Sequence, residues 1–493
     1  MIQGFDPRTG EPVGEPVAET ADAEVDAIVA AAAAAFPAWG SDAAMAGRAA
    51  ALDAVADALD ERAGELAAIA DTETALGGER LIGEVARTTG QLRLFAGVLR
   101  GGAYVDAAFT AAEGVVPDLR RINRPAGPVA VFAASNFPFA FSVDGGDTAS
   151  ALAAGCPVVV KAHEAHPVTS DVTAEVVRQA LASAGAPAGV FGLVHGVQAG
   201  LRLLRHPDIA AAGFTGSTAG GLALARACAE RPVPIPFYGE LGSVNPGVVL
   251  PGAAFSRPAA IAIGYTGSLT LGTGQFCTNP GLLFVPEDVG LLSAVAEAVG
   301  ASAGGPMLSE RIFSAFQHAV TEAAEHPGVT ELAEGRPGPG PWGATPRVFQ
   351  VTLKEFAADL AVLSRERFGP AGLVITYSSV EDLLPVLAAL PGNLVGTVHA
   401  DPESAEDMGL ARQVVTVLER VAGRLVFNGW PTGVAVVAAQ HHGGPWPATT
   451  VPAYTSVGTA AIRRWLVPVA YQDFPAELLP PRLRQLSRRP AMR

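Results

Sequence analysis

The chain has 493 residues, 49% of them hydrophobic, with three cysteines and a formal net charge of −15. That length exceeds one ordinary core and implies about two or three domains, while the acidic balance argues against nucleic acid and anionic membranes as partners. Three cysteines cannot build a disulfide framework, which fits a reducing, cytoplasmic setting, and no apolar run reaches the roughly 18 to 20 residues of a membrane span.

Residues 1–20 carry turn signals at Asp6-Pro7, Thr9-Gly10, Pro12, Gly14 and Pro16. The first residues lack a basic region followed by an apolar core, so no signal peptide is expected. Helical patterning follows over 22–35 and 43–74, where Leu52, Val55, Ala56, Leu59 and Ala63 recur at three- and four-residue spacing, and again over 78–99. Tyr104 to Asn123 reads as extended or hairpin structure, either an oligomerisation arm or a surface loop. From Pro128 the pattern changes. Short apolar runs at 129–133, 158–160, 190–194, 209–214 and 235–241 alternate with helical stretches at 145–154, 171–183 and 220–230. Such runs imply right-handed crossovers and a parallel sheet buried on both faces. Ligands of these sheets bind at the carboxyl ends of the strands. Asn136, Lys161, the stretch from Gly216 to Gly221 and Glu240 stand at those ends. A second α/β region spans about 241–428, and a turn-rich segment with a proline-broken tail closes the chain.

The stretch Gly272-Thr273-Gly274-Gln275-Phe276-Cys277-Thr278-Asn279-Pro280 places one thiol among small residues. Glycines let the backbone turn tightly and let another molecule approach. A nucleophilic cysteine needs such a place, with backbone N–H groups near its thiolate; a free cysteine filling a hole is the plainer alternative. Cys156 at the start of a buried strand and Cys228 in a helix read as inert. His163 and His166 have metal-like spacing, but no cysteine or carboxylate cluster accompanies them, so no metal is expected. His441 and His442 could line a pocket, yet neighbouring side chains of an extended segment cannot both point inward.

Ser135-Asn136-Phe137-Pro138, Lys161 with Glu164, Phe214-Thr215-Gly216-Ser217, Glu240-Leu241-Gly242, Gly274-Gln275-Phe276-Cys277 and Glu366 with Phe368-Gly369-Pro370 together resemble the aldehyde dehydrogenase superfamily. The resemblance implies an α/β fold. Its parts would be a parallel-sheet NAD(P)-binding domain over 1–102 and 125–239 with a return segment at about 429–453, an α/β catalytic domain over 240–428, and a small β oligomerisation domain over 103–124 and 454–493. It implies a homodimer or homotetramer acting on a small aldehyde. Cys277 would attack the aldehyde carbon, the Asn136 amide and the Cys277 N–H would hold the oxyanion, and Glu240 would be the base for hydrolytic water. Gly216, Ser217 and Gly221 would pack against the cofactor pyrophosphate near a helix N-terminus. Lys161 and Glu164 would meet the adenosine ribose, and Glu366 and Phe368 the nicotinamide ribose. A carboxylate at Glu164 repels a 2′-phosphate and favours NAD, while Lys161 and His163 could favour NADP.

Further stretches resemble a narrower group, the α-ketoglutaric semialdehyde dehydrogenases. They are the segment from Glu240 to Pro246, Cys277-Thr278-Asn279-Pro280-Gly281, the segment from Phe427 to Val434, the segment from His442 to Thr449, and Thr455-Ser456-Val457-Gly458-Thr459. Ser243 and Val244 depart from the glycine and lysine found in much of the wider family, and Ser364-Arg365 replace commoner acidic residues. A substrate carboxylate should want an arginine, whose planar fork binds it bidentately; the sequence does not say which. The aromatics Phe137, Phe139, Phe141 and Trp446 could line a tunnel for an apolar substrate instead, as in NADP-linked fatty-aldehyde enzymes. A CoA-acylating enzyme would leave Glu240 idle. A silent binding relative would have no need of Cys277, Asn136 and Glu240 together.

Overall fold

The computed structural model describes residues 1–287 and 289–486. Val129–Phe132, Val158–Lys161, Phe191–Val194, Ala211–Thr215 and Phe237–Glu240 form a five-stranded sheet, parallel throughout. Its spatial order runs Phe191–Val194, Val158–Lys161, Val129–Phe132, Ala211–Thr215, Phe237–Glu240. The order reverses between Val129–Phe132 and Ala211–Thr215, and that is where a parallel sheet opens a ligand crevice.

Period-two alternation puts side chains from each strand on both faces. Val129, Val131, Val158 and Val160 join Leu52, Val55, Leu59 and Phe95, from helices Met45–Glu61 and Gly78–Gly101, in one core. Ala130, Phe132 and Val159 join Val25, Val29, Leu203 and Leu204, from helices Asp22–Trp39 and Val197–Arg205, in the other. Both faces are therefore dry, which is why these strands read as unbroken apolar runs.

Gly247–Val249, Leu282–Pro286, Thr330–Glu334, Arg347–Thr352, Ala371–Tyr377, Asn393–His399 and Ala422–Phe427 form a second, seven-stranded sheet. It is parallel except where Thr330–Glu334 runs antiparallel at one edge, and Ala422–Phe427 forms the other edge. Ala108–Thr110, Leu119–Pro125 and Leu466–Gln472 make a third, antiparallel sheet. The extended reading of 104–123 thus ends in strands, one of them paired with the distant chain end.

Several local expectations change. The turn-rich start folds into an antiparallel hairpin, Ile2–Phe5 with Pro12–Val17. The helical stretch over 43–74 is two helices, Met45–Glu61 and Ala63–Thr74, because Arg62 leaves helical geometry at φ −107°, ψ 11°. The helix expected over 171–183 begins earlier, at Pro167, where a residue without an N–H suits the first turn. No single described helix is long and apolar enough to cross a membrane. Residues 487–493 of the expected tail lie outside the described residues.

Candidate active site

A cleft of about 690 Å³ opens at the carboxyl ends of the five-stranded sheet. Lys161, Glu164, Gly216, Ser217, Glu240, Cys277, Glu366, Phe368 and Asn136 all line it. The cysteine turn forms its floor from the second α/β region. Gly272, Thr273 and Gly274 adopt φ of 56°, 59° and 67°. A Cβ on Gly274 would lie 2.2 Å from the Gly369 carbonyl carbon, so the turn can pack on the Phe368-Gly369-Pro370 backbone only as glycine.

Three asparagines then fix the turn. Asn245 Nδ2 donates to the Cys277 carbonyl at 2.9 Å and the Asn279 carbonyl at 2.8 Å. Asn393 Oδ1 accepts the N–H groups of Val244 and Asn245 at 3.1 and 3.0 Å. Asn279 Nδ2 donates to Leu269 and Gly274. Asn136 Nδ2 gives one hydrogen to the Gln275 carbonyl at 2.9 Å, and a primary amide has a second to offer.

Glu240 ends its strand, and a returning segment covers it. Thr450 exchanges hydrogen bonds with Gly239 and Phe237, and the Leu241 N–H donates to Ala448. This delivers His442, fully buried, to the thiol: Nε2 stands 3.6 Å from Cys277 Sγ and 3.0 Å from Glu240 Oε1. Ser456 Oγ donates to Glu240 Oε2 at 2.6 Å. Alternation excludes both histidines from the interior but leaves one. His442, followed by the close-packing Gly443-Gly444 turn, is that one, and sequence reasoning passed it over.

The electrostatics follow from burial and these partners. Burial, then the Glu240 charge and hydrogen bond, push the Cys277 thiol well above its ordinary pKa, with Arg424 opposing. These neighbours favour the protonated thiol, and the Glu240 carboxylate beside it is placed to take the proton when it reacts. Burial would raise Glu240 as well, but His442 beside it and hydrogen bonds from His442, Ser456 and Cys277 hold it below the ordinary carboxylate range. Cys156 and Cys228 are buried, with burial raising them to about 11 and about 12. His166 is satisfied by the Ala134 carbonyl and Ser170 Oγ, at 3.0 and 3.2 Å.

The cofactor candidates line the cleft except Gly221, which is buried behind it. Lys161 pairs with Glu164 at one end of the cleft. Ser217 caps helix Thr218–Ala229, its Oγ accepting from the Gly220 N–H at 3.3 Å. Gly221 lies against Leu241, where a Cβ would stand 2.0 Å from Cδ2. Glu366 sits beside Gly242, with its pKa raised by burial to about 7. A helix N-terminus, a close-packed glycine backbone and a carboxylate near each end fit an anionic dinucleotide carrying two riboses.

The aromatic candidates divide. Phe137 packs on Phe276 and Phe141 at ring distances of 5.2 and 5.4 Å, and Phe141 lies 6.4 Å from the His442 ring. They stand beside the thiol rather than in the cleft. Trp446 belongs to neither group: its side chain is 56% exposed and does not line the cleft. Its carbonyl accepts from the Gly392 N–H at 3.0 Å, and the Pro445 carbonyl packs on Gly392; the backbone is held and the ring turns outward.

Residues 1–444 match the model of the aldehyde dehydrogenase family. The chain is 46% identical to α-ketoglutaric semialdehyde dehydrogenase 2 of Azospirillum brasilense over 495 aligned residues, covering 98% of this chain and 93% of that one. It is 41% identical to α-ketoglutaric semialdehyde dehydrogenase of Acinetobacter baylyi, over 88% of this chain and 83% of that one. Its fold is similar to that of aldehyde dehydrogenase C of Pseudomonas syringae complexed with NAD+ and octanal. The TM-score is 0.80 at 25% identity, with 96% of this chain and 93% of that chain covered. It is also similar to a 1-pyrroline-5-carboxylate dehydrogenase from Thermus with bound NAD, with a TM-score of 0.82 at 24% identity over 96% of this chain and 89% of that one. The chain therefore belongs to the aldehyde dehydrogenase family and is an NAD(P)-dependent aldehyde dehydrogenase.

Proposed function

We propose that the enzyme oxidises α-ketoglutaric semialdehyde to α-ketoglutarate. The observation that carries the substrate is 46% identity, over nearly the whole of both chains, to an enzyme named for it. The contact of Cys277, His442 and Glu240 carries the chemistry.

The thiol proton passes to Glu240, which accepts hydrogen bonds from Cys277 and from His442 Nε2, and leaves to solvent before the hydrolytic step. Sulfur attacks the aldehyde carbon and a thiohemiacetal forms on Cys277. The free hydrogen of the Asn136 amide and the Cys277 N–H stabilise its oxygen. A nicotinamide held in the cleft would supply the two-electron acceptor for oxidation of this adduct to a thioester. Glu240, ionised and oriented by Ser456, then takes a proton from water, which attacks the thioester and releases the acid and the thiol. Lys161, Glu164, Gly216, Ser217, Gly221, Glu366 and Phe368 would hold the cofactor. Glu164 favours the free ribose of NAD, while Arg311 on the facing wall is a cation available to NADP; NAD is the preferred partner in this reading. The three-stranded sheet suits self-association into a homodimer or homotetramer.

The test is reduced-nucleotide formation by the purified protein, with the semialdehyde and a long-chain aldehyde each paired with NAD and NADP, and with Cys277→Ala alongside. Preference for the semialdehyde, lost in the variant, is expected. Better turnover of the long-chain aldehyde would refute the substrate and give the site to Phe137, Phe141 and Phe276.

A further inference from the structure

An anionic aldehyde needs a cation to hold its carboxylate, and three arginines lie near the thiol or the rings beside it. Their donors are not in the same condition. Arg80 Nη2 donates to the Asn136 carbonyl at 2.8 Å, and its guanidinium lies over Phe137 and Phe276 at 5.2 and 5.1 Å. Its work is to tie the Asn136 backbone to the aromatic wall. Arg424 keeps Nε and Nη2 buried without partners, but it lies on Ala422–Phe427, an edge strand of the seven-stranded sheet.

Arg87 differs from both. It comes from helix Gly78–Gly101, and its guanidinium lies over Phe141 at 5.1 Å, the ring that packs against His442. Nη2 donates to the Val434 carbonyl at 3.3 Å, which fixes the plane of the fork. Nη1 is buried and has no partner. Glu84, one turn back on the same helix, does not take it: Glu84 Oε1 accepts from Phe139 and Ala140, and Oε2 is unbonded. A buried guanidinium N–H without an acceptor is unfavourable by more than a neutral donor would be. After Glu84 on its own helix, the groups whose charges act on it are Cys277 and Glu240, the reacting residues.

We propose that Arg87 is the carboxylate anchor of this enzyme: its unpartnered Nη1 and the adjoining edge of the fork hold the acid end of an anionic aldehyde while the carbonyl reaches Cys277 beyond Phe141 and His442. The assignment rests on the substrate reading above. It also gives the aromatic wall a role compatible with a charged substrate, since Phe141 orients the guanidinium by cation–π contact.

The test compares kcat/KM for α-ketoglutaric semialdehyde with that for pentanal, an uncharged aldehyde of the same carbon number. It uses the wild type and Arg87→Gln, Arg87→Lys and Arg424→Gln. In Arg87→Gln the semialdehyde-to-pentanal ratio is expected to fall by about 30-fold or more, mainly through KM, because the polar anchor is lost for one substrate and irrelevant to the other. Arg87→Lys keeps the charge without the fork and should fall between the two. A semialdehyde preference that survives in Arg87→Gln would overturn the anchor alone. So would equal losses on both substrates in Arg87→Gln and Arg87→Lys, or a collapse of the ratio in Arg424→Gln instead. A wild type that prefers pentanal would overturn the substrate assignment, and the anchor with it.

Discussion

Replacing Glu366 by Gln probes the electrostatics of the cleft with one neutral, near-isosteric change. The Glu366 carboxylate lies so close to the main chain that a Cβ on Gly242 would stand 2.3 Å from Oε2. Burial raises its pKa from 4.5 to about 7, with the Ser243 N–H opposing. At about 1.4 kcal/mol for each pH unit, the ionised form is disfavoured in the folded protein by at most about 3.5 kcal/mol. The sign follows from linkage. A carboxyl with a raised folded pKa binds more protons folded than unfolded between pH 4.5 and about 7. Wild-type stability therefore declines as pH rises through that window and stays lower above it. Glutamine carries no proton to lose and removes the decline. Urea unfolding followed by tryptophan fluorescence, at fixed protein concentration from pH 5 to pH 8.5 without nucleotide, should show Glu366→Gln gaining on the wild type as pH rises. The gain should reach up to about 3 kcal/mol at pH 8 and be smallest at pH 5. Nucleotide affinity should weaken in the same variant. A stability difference that is constant with pH, or no gain at pH 8, would refute the argument that desolvation dominates at this carboxyl.

Three further outcomes follow from the site. His442→Gln should lower kcat by about 10-fold or more and slow alkylation of Cys277 by iodoacetamide, because the carboxylate beside the thiol loses the imidazole that orients it and holds its pKa down; an alkylation rate equal to that of the wild type would separate His442 from activation of the thiol. Ser456→Ala takes a hydrogen-bond donor from a carboxylate whose pKa its partners hold down. The acidic limb of the kcat profile should therefore move to higher pH, and an unmoved limb would contradict Glu240 as the base. Gly274→Ala introduces a Cβ where φ is 67° and the Gly369 carbonyl carbon would be 2.2 Å away. Measured by thermal unfolding and turnover, it should lose about 1 kcal/mol or more of stability and most activity, whereas retained turnover would mean the cysteine turn can shift freely.

Much of the site could be read from residues close together in the chain. Strand ends are visible as the places where short apolar runs stop, so Asn136, Lys161, Ser217 and Glu240 could be assigned to one sheet edge before any coordinates. The turn around Cys277 announced itself by Gly272 and Gly274, both of which adopt positive φ. Those features depend on local backbone geometry and on side-chain alternation, and both are written into neighbouring residues.

What only the tertiary structure decided involves residues far apart in sequence. His442 meets Cys277 across 165 positions because the segment after residue 440 folds back over the Glu240 strand. Asn245, which fixes the cysteine turn, and Ser456, which orients Glu240, likewise act at distances along the chain that no local pattern encodes. The same closure turned Trp446 outward, though its aromatic ring matched a tunnel as well as Phe141 did. It also set a carboxylate beside the thiol, which favours the thiol's protonated form and is a property of the assembled site. Sequence determined which residues bear the chemistry and which strand ends present them. Packing determined which of them touch, and through desolvation, which hold their protons.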